Sequence, residues 1–325
     1  MTNIAVIGVG SMGQNHARVI FNCENASLKA IADQNKEQAE RIARKYNTKA
    51  YTSYKELLEK EKIDAVTIAV PTKYHKECAL HVISQNKHVL IEKPIATNET
   101  EAQELIDVAK KNKVHLMVGH IERFNAAIVE LKRRLERGEL GEIYKVEVDR
   151  IGPFPERITD VGVITDLSVH DTDIIHYLTR AQPTRIYAET QRRLHPAHED
   201  SVTALLTYDN GMLAVLNINY LSPTKIRQLS IFGKRGMFKV NYLTQELFFY
   251  ENKSFGATDW NSVSEGDIKI INVPKKEPLQ AEIEHFIQVI KGNTKVAVTG
   301  EDALHALRIA QHIAHSAQEK RVLTL

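Results

Sequence analysis

The sequence predicts two domains: a doubly wound α/β domain over residues 1–120, followed by an α+β domain with a large, mainly antiparallel open sheet over residues 121–325. Three observations carry this reading. Apolar runs of strand length alternate with helical patterns as far as His120; beyond Pro183 strand-like runs follow one another directly; and Asp209-Asn-Gly211 is a hairpin signal between two of those runs. A chain of 325 residues suits about two domains of roughly 150 residues each.

In the first half, Ile4 to Ile7 is a short apolar run stopped by Gly8, and Ala17, Val19 and Ile20 open a helical pattern. Between them stands Gly8-Val9-Gly10-Ser11-Met12-Gly13, a G-x-G-x-x-G spacing set between strand and helix. Gly8 permits the tight turn, Gly10 lets the backbone approach a pyrophosphate, and Gly13 allows close packing of helix on strand. With Ser11 and Met12 at the helix start, unpaired N–H groups face the phosphates. An ordinary glycine-rich turn is the bland alternative. The next strand, Leu28 to Ala32, ends in Asp33, twenty residues after Gly13. An acid there accepts both ribose hydroxyls and repels a 2′-phosphate, which favours NAD; Lys36 and Arg41 lie near enough to keep NADP as the alternative.

Helices follow at Glu37–Tyr46 and Tyr54–Glu59, then a nearly continuous apolar strand at Ile63–Val70, closed by Pro71-Thr72. Such a strand is buried on both faces by helices. A helix at Tyr74–Ser84 leads to the strand His88–Ile91, which delivers Glu92-Lys93-Pro94 at its carboxyl end, where ligands collect in open α/β sheets. Lys93 is either placed for chemistry or an ordinary surface lysine. A helix at Thr100–Asn112 and a strand at Val114–Val118 complete a Rossmann nucleotide-binding domain.

In the second half an amphipathic helix spans Arg123–Arg137, a strand Ile143–Arg150, and a proline-interrupted loop passes Pro153 and Pro155. Asp166 to Leu178 reads as a helix with Asp166 and His170 four residues apart on one face. A carboxylate beside an imidazole orients it for proton transfer, or the two form a structural pair. Strands follow at Arg185–Thr190, Ser201–Tyr208, Met212–Tyr220, Arg227–Phe232, Gly236–Asn241, Leu247–Tyr250 and Ile268–Val273, then helices at Ala281–Ile290 and after Thr299, with Thr299 as N-cap and Asp302 completing an imperfect capping box. Tyr187, Leu205, Leu216, Ile218 and Phe232 supply apolar groups for both faces of the sheet, so a homodimer or homotetramer is expected.

Composition excludes several classes. There are 43 Lys+Arg against 41 Asp+Glu, mixed along the chain, with no basic footprint for nucleic acid. Two cysteines, Cys23 and Cys78, cannot supply a C-x-x-C pair, and His195 and His198 have no third ligand at a plausible spacing, so no metal is expected. The start, Met1-Thr-Asn-Ile, enters a strand at once without a basic leader, and no run approaches about 18 apolar residues. A cytoplasmic protein without a membrane role is expected.

The Gly8-x-Gly10-x-x-Gly13 turn, Glu92-Lys93-Pro94, Asp166-x-x-x-His170 with Asp173 beyond, and Gly300 to Leu307 together resemble the glucose–fructose oxidoreductase, inositol dehydrogenase and rhizopine-catabolism (Gfo/Idh/MocA) family over nearly the whole chain. The resemblance implies a pyridine-nucleotide dehydrogenase of a sugar or polyol. Lys93 and His170 match the family's catalytic lysine and histidine and Asp166 the carboxylate near them; Pro71, Thr72 and His75 match the loop lining the cofactor crevice, beside Glu92. Gly162-Val-Ile-Thr165 departs from the family's Gly-Gly-rich approach. Gly119 to Asn125 is similar to the segment found in sugar-nucleotide 3-dehydrogenases, although Ala126 stands where a proline often follows. That implies NAD-dependent oxidation of the C3 hydroxyl of a UDP-N-acetylhexosamine, UDP-N-acetylglucosamine first. Arg123, Arg157 and Lys225 are then candidates for the diphosphate and Asn125 for a hydroxyl or acetamido oxygen. A dehydrogenase of a free sugar or of a cyclic polyol such as inositol is the alternative substrate reading, and an NAD-binding sensor the non-enzymatic one.

Overall fold

The computed structural model describes residues 1–155, 161–252 and 266–325. These residues form two compact units, Met1–Phe124 with Lys276–Arg308, and Asn125–Lys275 with Ile309–Leu325. The chain therefore returns to the first unit after building most of the second.

The first unit holds a parallel sheet of β1 (Thr2–Ile7), β2 (Ala26–Ala32), β3 (Lys49–Tyr51), β4 (Ala65–Ile68), β5 (His88–Glu92) and β6 (Leu116–Gly119), in the order β3-β2-β1-β4-β5-β6. Helices α1 (Ser11–Asn22), α2 (Lys36–Lys45), α3 (Tyr54–Lys60), α4 (His75–Ser84) and α5 (Glu99–Lys111) connect the strands. Residues of β1 and β4 are buried almost throughout, as a sheet covered on both faces requires. Helix starts are set by local chemistry: the side chains of Asn35, Ser53 and Asn98 each accept an N–H of the following first turn. The strand order reverses beside β1, so the turns leaving β1 and β4 flank one crevice.

The second unit contains α6 (Ala126–Glu136) and α7 (Val169–Thr179) against a sheet of β7 (Ile143–Ile151), β8 (Pro183–Gln191), β9 (Ser201–Tyr208), β10 (Leu213–Asn219), β11 (Ile226–Gly233), β12 (Gly236–Asn241), β13 (Glu246–Glu251), β14 (Ile268–Ile271) and β15 (Leu323–Thr324). Its order is β14-β13-β12-β11-β7-β10-β9-β8-β15, antiparallel except for β7 against β10. Alternation sets the faces: Val202, Ala204, Leu206, Leu216 and Ile218 are buried, whereas Tyr187 and Leu205 are exposed. The expected hairpin joins β9 to β10, and Gly211 at φ +82° supplies the left-handed residue it needs. One difference concerns the helix predicted from Asp166. Ile164–Ser168 is a π turn before α7, with Ser168 Oγ donating to Ile164 O at 2.6 Å, so Asp166 sits on a wider turn than an α-helix provides.

Helices α8 (Pro278–Ile290) and α9 (Gly300–Glu319) close the chain, and α8 packs on α1. The start of α9 is a reciprocal box: Thr299 Oγ1 accepts the Asp302 N–H at 3.1 Å and Asp302 Oδ2 accepts the Thr299 N–H at 3.1 Å. The same Asp302 oxygen takes Arg123 Nη1 at 3.1 Å. Burial pushes the Asp302 carboxyl up, but the Arg123 guanidinium and the Thr299 donors outweigh it and hold the group at about 2, below its ordinary 3.8. A depressed folded value means stability fully present above the unfolded value. Acid unfolding is therefore expected to draw on this pair between about pH 4 and about pH 2. Asp302→Asn should flatten that part of the stability curve measured by denaturant titration, and an unchanged acid limb would contradict the assignment.

Candidate active site

The crevice of the first unit is a cleft of about 320 Å³, with Gly8, Gly10, Asp33, Thr52, Tyr54 and Pro71 among its lining residues. Gly8 has φ +83°, and a Cβ there would come within 2.7 Å of Ala69 O. At Gly13 a Cβ would meet Gly8 O at 1.8 Å, so only glycine lets α1 close on the turn. Gly10 by contrast faces open space. It caps α1 without any side-chain hydrogen bond, and no acid occupies the first turn, which leaves N–H groups and a positive dipole end for an anion. Asp33 is held at the rim: Oδ2 accepts the Val9 N–H at 2.8 Å and Oδ1 the Asn35 N–H at 2.9 Å. A glycine cradle, a bare helix start and a fixed carboxylate at the end of β2 fit a dinucleotide.

Sequence reasoning did not single out Thr52, Tyr54 or Tyr74 as lining this cleft. Thr52 follows β3 at its carboxyl edge, and the rule that ligands collect at such edges was the available signal. Cys78 also borders it, but burial pushes its thiol up to about 12, so it is no nucleophile at neutral pH.

The Lys93 turn is braced from both sides. Glu92 Oε1 bonds His16 Nε2 at 2.9 Å and its Oε2 accepts the Lys93 N–H at 3.3 Å. His75 faces Pro94 O and Val70 O at 2.9 Å each. Burial lowers its ring pKa against the pull of those carbonyls. His75 is thus buried under the turn instead of lining the crevice, while Pro71 and Tyr74 reach the cleft around the Thr72 turn.

In the second unit a separate cleft of about 250 Å³ includes Arg150, Phe154, Asp166, Tyr220, Lys225 and Arg227 in its lining. Tyr220 Oη donates to Asp166 Oδ2, and Phe154 meets the Tyr220 ring edge-on at 6.2 Å. Arg150 Nε donates to Asp171 Oδ2 at 2.7 Å, a pair with 1% and 0% of its side chains exposed. His170 is buried on the first turn of α7. Asp166 and Lys225 thus line the same cleft. Tyr220, Arg150 and Arg227 were not foreseen, because strand residues reveal their neighbours only through register. Gly162 packs on Glu199, where a Cβ would lie 2.1 Å from the carboxylate.

Two substrate candidates have other employment. Arg123 is buried and donates to Ala297 O at 3.0 Å as well as to Asp302, which commits it to an internal ion pair. Asn125 is buried too; its Oδ1 accepts the Ala127 N–H as N-cap of α6, and its Nδ2 donates to Tyr242 O. Arg157 lies outside the described residues. Among the described residues no three His, Cys, Asp or Glu side chains form a metal site, and His195 Nδ1 accepts the N–H groups of Ala197 and His198. No helix of the described residues is long and apolar enough to cross a membrane.

Comparison with known proteins agrees with the class that this fold and these clefts define, an NAD-binding oxidoreductase. A family model described as the oxidoreductase family's NAD-binding Rossmann fold matches residues 2–120, and one for its C-terminal α/β domain matches residues 132–325. The chain belongs to the Gfo/Idh/MocA oxidoreductase family. It is 30% identical to the UDP-N-acetylglucosamine 3-dehydrogenase of Acidithiobacillus ferrooxidans over 95% of both chains. A solved structure of that enzyme superposes with a TM-score of 0.88, at 29% identity, covering 98% of this chain and 97% of the other. Myo-inositol 2-dehydrogenase of Thermotoga maritima is 25% identical over 99% of this chain and 98% of its own. The WlbA dehydrogenase of Bordetella pertussis, solved with NADH and UDP-GlcNAcA, shares the fold at 22% identity and a TM-score of 0.84, covering 100% of this chain and 98% of the other.

Proposed function

We propose that this oxidoreductase uses NAD to oxidise the C3 hydroxyl of a UDP-N-acetylhexosamine, UDP-N-acetylglucosamine first, to the 3-keto sugar nucleotide. The observation that carries this reading is the mixed chemistry of the second unit's cleft. Asp166 and Tyr220 are suited to sugar hydroxyls, while Lys225 and Arg227 suit a diphosphate, for which a free polyol has no use. Similarity over 95% of the chain to a UDP-N-acetylglucosamine 3-dehydrogenase supports it. The inositol reading draws support from similarity to the Thermotoga enzyme. Incubating the protein with NAD and either UDP-N-acetylglucosamine, free N-acetylglucosamine or myo-inositol, and following NADH absorbance, separates them. Turnover only with the nucleotide sugar is expected; turnover of inositol alone would reverse the assignment.

In the proposed reaction His170 accepts the proton of the reacting hydroxyl and Lys93 donates a hydrogen bond to the oxygen as negative charge grows on it. Asp166, held by Tyr220, orients the polar groups of the pocket and attacks nothing. NAD, held at the glycine turn and Asp33, would supply the hydride acceptor. Gly8, Gly10, Ser11, Met12 and Gly13 cradle the pyrophosphate and Asp33 takes the ribose hydroxyls. Asp33→Ala is expected to weaken NAD by roughly tenfold, the worth of a charged hydrogen bond, and NADP by less. Titration of both cofactors by fluorescence checks this, and equal losses would remove Asp33 as the discriminator. The homo-oligomer expected from the sequence would use the sheet face that carries exposed Tyr187 and Leu205.

A further inference from the structure

The backbone on either side of the Val9–Gly10 peptide is pinned, while the peptide itself is held by side chains alone. The Val9 N–H donates to Asp33 Oδ2 at 2.8 Å, and Gly10 O accepts the Gln14 N–H at 3.0 Å as α1 begins. Among the described residues no backbone group meets the Val9 carbonyl or the Gly10 N–H. Two side-chain amides converge on that carbonyl instead. Gln14 of α1 donates to it at 3.0 Å and Gln38 of α2 at 2.5 Å, which uses both lone pairs of the oxygen.

Glycine makes such a clamp necessary. Gly10 stands at φ −64° and ψ −163°, but without a Cβ it takes positive φ as readily, so the peptide before it can turn over while its neighbours stay in place. A peptide unit is planar and trans, so its C=O and N–H point in opposite directions. With the Val9 oxygen on the two amides, the Gly10 N–H points away from them. Turned over, the peptide would present a carbonyl oxygen, which repels a phosphate, where the N–H had been.

Gln38 also ties in the turn that carries Asp33. Its N–H donates to Asn35 Oδ1 at 3.0 Å, and the Asn35 N–H donates to Asp33 Oδ1 at 2.9 Å. The segment after β2 thus grips Val9 at both ends, its N–H by a carboxylate and its C=O by an amide. Val9 itself has none of its surface exposed. Gly10 and Asp33 line the cleft of the first unit, whereas neither glutamine is among the lining residues, so the glutamines act on a ligand through Val9.

We propose that Gln14 and Gln38 are positioning residues, which by holding the Val9 carbonyl keep the Gly10 N–H turned toward the pyrophosphate of the cofactor. The inference deepens the cradle role proposed above for Gly10 and rests on it. Gln38 further couples the two ends of the adenosine diphosphate portion, because the residue it holds also orients Asp33.

The test needs neither sugar nor turnover. ADP-ribose, which keeps the pyrophosphate and the adenosine ribose of NAD, is titrated by calorimetry into the wild type, Gln14→Leu, Gln38→Leu, the double variant and Asp33→Ala. Either single change leaves one donor on the Val9 oxygen and should weaken binding by about threefold. The double change strands a buried carbonyl and should weaken it by roughly thirtyfold or more, beyond the product of the two single losses. Should the double variant not fold, Gln14→Leu combined with Gln38→Asn, whose amide falls one methylene short of Val9, takes its place. NMR supplies a signature that general destabilisation does not produce. Protein labelled with ¹³C in valine carbonyls and ¹⁵N in glycine gives linked signals for Val9-Gly10, Val118-Gly119 and Val161-Gly162 alone, and Gly10→Ala identifies the first by its absence. In the wild type the Gly10 proton should move downfield as ADP-ribose binds, and in the double variant that movement should be lost. The proposal is overturned if the double variant binds like the wild type, if its loss equals the product of the single losses, or if its Gly10 proton responds as in the wild type. Asp33→Ala binding like the wild type as well would remove the cradle reading itself.

Discussion

Lys93→Met is expected to bind NAD within about threefold of the wild type and to lose turnover by roughly 10²- to 10⁴-fold. The turn that carries residue 93 is braced by groups other than its side chain. Glu92 accepts its N–H, His16 holds Glu92, and His75 faces the carbonyls of Val70 and Pro94. The glycine cradle and Asp33 lie at the ends of β1 and β2, so the cleft they line should survive the change. Methionine keeps the length of the side chain and removes its charge and donors. Steady-state rates beside a cofactor titration check the expectation, and activity within about threefold of wild type would take Lys93 out of the mechanism.

Asp171→Ala is expected to cost about 3–5 kcal/mol of stability, because it breaks a buried ion pair by removing the carboxylate that Arg150 Nε meets at 2.7 Å. That is a large part of the roughly 5–15 kcal/mol that holds a typical domain folded. Arg150 stands on β7, between β10 and β11 in the middle of the second sheet, with its guanidinium 5.2 Å from the centroid of the Tyr242 ring. It also borders the cleft of Asp166 and Tyr220, so the same change should raise the KM for substrate. Denaturant unfolding measures the first effect. A loss under about 1 kcal/mol would show that the charge finds other compensation.

The first sheet was legible because its signals are local. The glycine turn, the acid after the second strand and the apolar run closed by Pro71 each lie within a few residues of the structure they specify. The second sheet was legible as alternation, but not in its order, since only register brings β7 between β10 and β11. Arg123 and Asn125 differ from expectation for the same reason. Their partners lie at Asp302 and Tyr242, far along the chain, and a basic or amide side chain looks alike in sequence whether it meets a ligand or its own backbone. Tyr220 reads as an ordinary strand-end residue until the π turn brings Asp166 to its hydroxyl.

UDP-N-acetylglucosamine carrying deuterium at C3 tests the central claim most directly. Incubated with the protein and NAD, it should yield a 3-keto sugar nucleotide and NADH bearing one deuterium at C4 of the nicotinamide. NADH formed without the label, or a labelled sugar returned unchanged while free inositol is oxidised, would contradict the account.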